Sequence, residues 1–269
     1  MANLYHKHSK VKLEALFKFI QRFNKVAIAF SGGIDSTFLA AAAEKVLKKD
    51  TYLVTTYSET LSAKEKQDAK DIAERLGLTH VFVKSNELSC PNFVKNDLNR
   101  CYHCKKSKLL AIKDWAYEED IPVILEGTNK DDDLSFRPGQ AAIKEIKGVY
   151  SPLNTIGFTK EEIRAIAKHW HLSTWNKPSN SCLATRIASG LNITKERLKQ
   201  VEEAEQYLHN LNLTSVRLRH HGDTAKVEVL TKQAPSFFTT NKIEFEKYLR
   251  QLGFKNIHYK INFPDNRTI

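Results

Sequence analysis

The chain has 269 residues, 41% of them hydrophobic, enough to bury a real core in one large domain and one small one. The opening MANLYHKHSK carries no apolar leader region and nowhere do about 18 apolar residues run together, so secretion and membrane spanning are not expected and the cytoplasm is the expected compartment. A net charge of +11 points to anionic partners, either nucleic acid or small phosphorylated ligands, and 4 cysteines in a cytosolic chain of this size argue for metal or catalytic use over disulfides.

The first expected helix places Leu13, Leu16, Phe17 and Ile20 on one face. Val26 to Phe30 form a near-continuous apolar run, the pattern of a strand buried on both faces of a parallel sheet. Gly32 and Gly33 then allow a sharp turn and close approach of bare N–H groups to an anion. Asp35, Ser36 and Thr37 are expected at the N-cap and first turn of a helix running from 36 to about 48, where unpaired donors and the dipole attract oxyanions. No lysine follows the glycines, so this is not a Walker A loop.

A second strand, Tyr52 to Tyr57, precedes a helix opened by the capping box Ser62 to Glu65 and closed at Gly77. A third strand covers His80 to Lys84, followed by a cysteine-bearing insertion, a helix near 105 to 119 and a strand from Pro122 to Leu125. A short strand near Val149 leads to a helix with the capping box Thr159 to Glu162. The alternation predicts a doubly wound α/β domain over residues 1–192, with ligand sites at the carboxyl ends of its parallel strands.

From about Thr194 the pattern becomes helix, strand, strand, helix, strand, which predicts a smaller α+β domain over 193–269. Strands Ser215 to His221 and Thr224 to Leu230 meet through Gly222-Asp223. A two-residue turn sets Arg219 opposite Lys226 and Arg217 opposite Glu228, with Arg217, Arg219 and His221 on one face and Val216 and Leu218 on the other. Such a face is either an anion clamp of two guanidiniums or an exposed surface with an Arg217–Glu228 salt bridge.

Cys101 and Cys104 have the C-x-x-C spacing that brings two thiolates to one metal centre, and Cys182 supplies a third sulfur from a distant segment. Arg100, Lys105, Lys106 and Arg186 surround them with positive charge, which favours thiolate over thiol. The set suits a [4Fe-4S] cluster with one open iron, a Cys₃His zinc site using His103, or a redox dithiol. Cys90, in ELSCPNF, is a fourth ligand or a packed bystander.

The wording SGGIDS resembles the SGGxDS signature of the PP-loop ATP pyrophosphatases. Together with LEGTNKDD, RPG at 137–139, KEEIRAIAKHW followed by WNKPSNSCLATRI, and VRLRHHGDTAKVEV, the chain resembles the LarE-type ATP-dependent sulfur transferases over nearly its full length. The resemblance implies the adenine nucleotide alpha hydrolase-like PP-loop fold and conversion of pyridinium-3,5-biscarboxylic acid mononucleotide to its bisthiocarboxylic form, in making the nickel-pincer nucleotide of lactate racemase. It implies ATP on Ser31, Gly32, Gly33, Asp35, Ser36 and Thr37, with Asp35 helping to bind Mg²⁺. Substrate contacts are implied for Thr185, Arg186, Glu205, Arg217, Arg219 and Glu228, with Cys182, Asp35 and Arg186 at the reaction.

Family members differ in cysteine content: some give up the sulfur of a single cysteine, while others with C-x-x-C hold [4Fe-4S]. With Cys101, Cys104 and Cys182, this chain resembles the cluster type, in which Cys182 is a ligand and not a sacrificed donor. Homo-oligomerisation and partnership with the other enzymes of the nickel-pincer pathway are implied as well, without nucleic acid. Two other readings share SGGIDST. A tRNA thiolation enzyme of the same superfamily agrees with the charge, but the sequence shows no added RNA-binding module or aromatic-and-basic motif. An amide-forming enzyme of the NAD synthetase kind, with structural zinc, leaves the three-cysteine set incidental.

Overall fold

The computed structural model describes residues 2–134, 138–178, 181–213, 216–229 and 234–261. Arg137, Ser179, Asn180, Ser215 and Leu230, which figure in the motifs and strands above, lie outside the described residues. In chain order the elements are α1 (Ala2–Ile20), β1 (Val26–Ala29), α2 (Ile34–Leu47), β2 (Thr51–Tyr57), α3 (Ala63–Leu76), β3 (Thr79–Lys84), α4 (Pro91–Val94), α5 (Arg100–Glu118), β4 (Ile124–Leu125), α6 (Gly139–Glu145), β5 (Val149–Tyr150), α7 (Pro152–Ile156), α8 (Lys160–His169), α9 (Lys195–Asn210), β6 (Val216–His221), β7 (Thr224–Val229), α10 (Ala234–Gln251) and β8 (Asn256–Ile261). Two units result: Met1–Cys90 with Asn99–Asn180, and Pro91–Leu98 with Ser181–Ile269.

In the first unit the apolar run of β1 does what its composition dictates. Val26, Ala27 and Ile28 are fully buried at the centre of a parallel sheet ordered β3-β2-β1-β4-β5. Ile28 pairs with Leu53 on one side and Leu125 on the other. Only Ile124 and Leu125 of the expected Pro122 to Leu125 strand pair, since Pro122 has no N–H to give a ladder. One face carries Leu16, Ile20, Phe38, Leu53 and Ile163, where Phe38 meets Phe158 edge-on at 5.5 Å and stacks on Trp170 at 5.3 Å. The other face carries Val54, Leu109, Ile112 and Ile143. The fold is therefore α/β and doubly wound, and strand order reverses between β1 and β4, which sets the ligand crevice at their carboxyl ends. Ser62–Glu65 and Thr159–Glu162 form reciprocal capping boxes, and Gly77 closes α3 at φ 64°.

The second unit pairs β6 with β7 antiparallel and β7 with β8 parallel. His221 lies opposite Thr224, so the turn is two residues long, and Gly222 supplies its positive φ of 77°. Arg217 faces Glu228 and Arg219 faces Lys226, while Val216, Leu218 and His220 are buried on the opposite side. Residues 91–98 and 181–192 pack here, whereas the change of pattern along the chain set the boundary at 192. Long-range ties are the reason: the Nδ2 of buried Asn96 donates to the carbonyls of Ala188 at 2.8 Å and Leu191 at 2.9 Å, and Ala188 N donates to His220 O at 3.0 Å.

Candidate active site

The turn after β1 is held together by its own hydroxyls. Ser31 and Ser36 Oγ atoms lie 3.1 Å apart, Gly33 N donates to Ser31 Oγ at 3.3 Å, and Ser36 Oγ donates to Gly33 O at 3.2 Å. Gly32 has φ 65°, and a Cβ there would sit 3.1 Å from Ala69 Cα of α3. The N-cap of α2 is Gly33, which corrects the expectation for Asp35, Ser36 and Thr37: all three are helical residues. Glycine brings no side chain to cap the helix, so the turn offers its backbone donors to a ligand. Thr37 is 1% exposed and its hydroxyl has no partner among the described residues.

The loop after β4 closes on this turn. Gly127 stands so near that a Cβ would lie 3.0 Å from Ser36 N. Buried Glu126 accepts from Lys105 Nζ at 2.7 Å, Thr128 N at 3.1 Å, Thr128 Oγ1 at 2.8 Å and the Ser151 hydroxyl. Asn129 Nδ2 donates to Asp35 Oδ1 at 3.3 Å, and Lys160, the first residue of α8, donates to Asp35 Oδ2. Lys160 N is held by Asp131 at 2.7 Å. Lys177 Nζ reaches Gly32 O at 3.2 Å and Asp68 at 2.9 Å.

Burial raises the Asp35 carboxyl above its ordinary value, outweighing Lys160, and the nearby Asp132 adds to the rise. A desolvated carboxylate paired with Lys160 at an uncapped helix start, with Lys177 on the Gly32 carbonyl, suits a polyphosphate accompanied by a divalent cation. Sequence reasoning missed the roles of Lys160, Lys177, Glu126 and Gly127. The signal was present for all four, since they stand in the quoted motifs LEGTNKDD, KEEIR and WNKP.

The helix expected from 105 begins at Arg100, which puts Cys101 in the first turn of α5 and Cys104 at the start of the second. Cys101 is exposed, with Arg100 Nη2 3.8 Å from its sulfur, and Cys104 is half-buried. His103 meets Tyr102 edge-on. Cys182 belongs to the second unit. All 4 cysteines are free thiols, and among the described residues no three His, Cys, Asp or Glu side chains are gathered in metal-binding geometry. The donor chemistry of two thiols one helical turn apart fits thiolate ligation of a metal.

Within the second unit Cys182 precedes a short 3₁₀ turn, Leu183–Arg186. Thr185 N and Oγ1 both donate to Cys182 O, at 3.0 and 2.7 Å. Arg186 is buried; its Nε donates to Glu205 Oε1 at 3.0 Å and its Nη1 to Cys182 O at 3.1 Å. Arg219 Nε donates to Glu228 Oε2 at 2.9 Å and its Nη1 to Thr185 O at 3.1 Å. The salt bridge is thus Arg219–Glu228 and not Arg217–Glu228, because a long guanidinium reaches its diagonal neighbour. Arg217 has no ion-pair partner among the described residues, which leaves its charge on the half-exposed face.

Residues 15–94, which include the SGGIDST turn, match the asparagine synthase family. A pyridinium-3,5-bisthiocarboxylic acid mononucleotide synthase of Lactiplantibacillus plantarum is 33% identical over 249 residues, covering 92% of this chain and 88% of that protein. The chain belongs to this LarE-type family. An uncharacterized protein of Synechocystis sp. is 36% identical over 226 residues, 84% of each chain, and one of Methanocaldococcus jannaschii is 30% identical over 247 residues, 92% of this chain and 93% of that one. Within the LarE-type family the loop after β1 is the ATP-binding PP-loop, and this chain is an ATP-using enzyme. Among its described residues no helix is long and apolar enough to cross a membrane.

Proposed function

We propose that the protein is an ATP-dependent sulfur transferase that thiolates the carboxylates of pyridinium-3,5-biscarboxylic acid mononucleotide in nickel-pincer nucleotide synthesis. The observation that supports this best is Asp35, a desolvated carboxylate held by Lys160 and Asn129 beside the uncapped start of α2, in a chain 33% identical to a bisthiocarboxylate synthase. A carboxylate is a poor electrophile until its oxygen becomes a good leaving group. Its oxygen attacks the α-phosphorus of ATP, the bond to the β-phosphate oxygen breaks, and pyrophosphate leaves toward the α2 start, Lys160 and Lys177. Asp35 would hold Mg²⁺, which would supply charge neutralisation for the leaving phosphates. A sulfur nucleophile then attacks the acyl carbon, and AMP departs with the original carboxylate oxygen.

Cys101, Cys104 and Cys182 would hold a [4Fe-4S] cluster, which would supply the sulfur for transfer. The chain's own part is to keep these thiols free, with Arg100 Nη2 3.8 Å from the Cys101 sulfur. Arg217, Arg219 and Glu228 supply the face for the substrate's phosphate and ring substituents. Iron and acid-labile sulfide analysis of anaerobically prepared protein, followed by turnover with added sulfide, tests the cluster. Multiple products per chain, lost in Cys101→Ala, Cys104→Ala and Cys182→Ala alike, are expected. One product per chain with dehydroalanine at position 182 would contradict it.

A further inference from the structure

The resemblance set Arg186 and Glu205 against the substrate; their bonding points elsewhere. The guanidinium has five N–H donors, and protein acceptors surround it. Nε and Nη2 fork onto Glu205 Oε1 and Oε2 at 3.0 and 3.4 Å, and Nη1 faces Ser181 O, Ser181 Oγ at 2.7 Å, Cys182 O at 3.1 Å and Thr185 Oγ1 at 3.2 Å. The two side chains are 5% and 10% exposed. A phosphate could reach this arginine only by displacing a buried carboxylate and leaving it unpaired, and the pair as a whole offers no net positive charge.

We infer that Arg186 and Glu205 are positioning residues that fix the backbone of the Cys182 turn, an inference that rests on reading Cys182 as a sulfur-handling thiol. Cys182 O accepts from Arg186 Nη1, Thr185 N and Thr185 Oγ1, so the peptide following the thiol is pinned from three directions. Glu205 Oε1 also accepts the Leu218 amide at 2.9 Å. Leu218 stands between Arg217 and Arg219 on β6, an edge strand of its sheet. One carboxylate on α9 therefore registers two things at once: the turn bearing Cys182 and the strand bearing the two arginines. Arg219 completes the bracket through Thr185 O.

The test uses the full chain with Arg186→Lys, which keeps the charge but loses the fork, and Glu205→Gln, which keeps the shape but loses the charge. Amide hydrogen exchange across 182–187 should accelerate by about tenfold or more, as for a segment released locally, while α9 outside that turn keeps its protection. Affinity for inorganic phosphate, used as the probe, should stay within about twofold of wild type. Where turnover is measurable, kcat should fall with KM for the mononucleotide unchanged. Should either variant fold poorly, Thr185→Val removes one bond to Cys182 O and should speed exchange in the same segment to a smaller degree. Unchanged exchange at 182–187, or phosphate affinity lost while exchange stays normal, overturns the inference. Exchange and phosphate binding need no ATP chemistry, so failure to release pyrophosphate counts against the proposed function and leaves this result standing.

Discussion

Gly127 packs against Ser36 so closely that a single methyl group on its Cα would lie 3.0 Å from the Ser36 amide nitrogen and 3.2 Å from Asp35 C. Two strand-end loops, one after β1 and one after β4, therefore share a backbone contact at the phosphate site. Gly127→Ala must push the α2 start aside. The expected cost in ATP binding is about 1–3 kcal/mol, the range for overpacking a tight contact. Calorimetric titration of ATP with Mg²⁺ checks it, and an unchanged affinity would show that the contact does not shape the site.

Asp35 gives a case where function and stability oppose each other. Its carboxyl is held above the ordinary value mainly by burial, so ionised Asp35 costs the folded state free energy at neutral pH. Asp35→Asn should abolish pyrophosphate release while the ligand-free protein melts at the same temperature or higher. A melting point several degrees lower would mean that the Lys160 pair stabilises the fold after all.

The two arginines of β6 should separate. Arg219 has structural partners in Glu228 and Thr185 O, whereas Arg217 has no ion-pair partner among the described residues. Arg217→Leu should weaken binding of the mononucleotide by about 1.5–3 kcal/mol, the worth of a charged hydrogen bond, without lowering the melting temperature. Arg219→Leu should lower both. Equal effects on ATP and on the mononucleotide would assign the arginines to the nucleotide site.

Acid should weaken the fold through two histidines. His220 is pushed down to about 4 by burial first, helped by the charges of Arg197 and His221, and His80 is pushed down to about 4 by burial. Both are neutral when folded, while the unfolded chain takes up their protons near its ordinary histidine value of about 6.5. Their contribution is therefore complete above about pH 6.5 and disappears as pH falls toward about 4. His220→Gln should show a smaller drop in melting temperature between about pH 7.5 and about pH 5 than the wild type. An identical drop would place the acid sensitivity elsewhere.

Features fixed by neighbours in sequence were legible before the structure. The apolar run into SGGIDST, both capping boxes and the two-residue Gly222-Asp223 turn depend on contacts a few residues long, and the turn set the β6–β7 register. Contacts fixed by the tertiary fold were not. Lys160 meets Asp35 across 125 residues and Lys177 meets Gly32 across 145, and no local pattern marks such pairs. The Arg219–Glu228 diagonal needed a rotamer as well as a register. Residues 181–192 went with the second unit because Arg186 bonds Glu205 and Ala188 N bonds His220 O, and Asn96 carries 91–98 with them, long-range ties that composition does not show.

The central claim is that ATP is split to activate a carboxylate. Phosphorus NMR of the protein with ATP, Mg²⁺ and pyridinium-3,5-biscarboxylic acid mononucleotide, read together with the mass of the organic product, tests it most directly. The account predicts AMP and pyrophosphate in equal amounts, formed only when the mononucleotide is present, with oxygen replaced by sulfur when a sulfur source is supplied. ADP with orthophosphate, or AMP release indifferent to the mononucleotide, would contradict it.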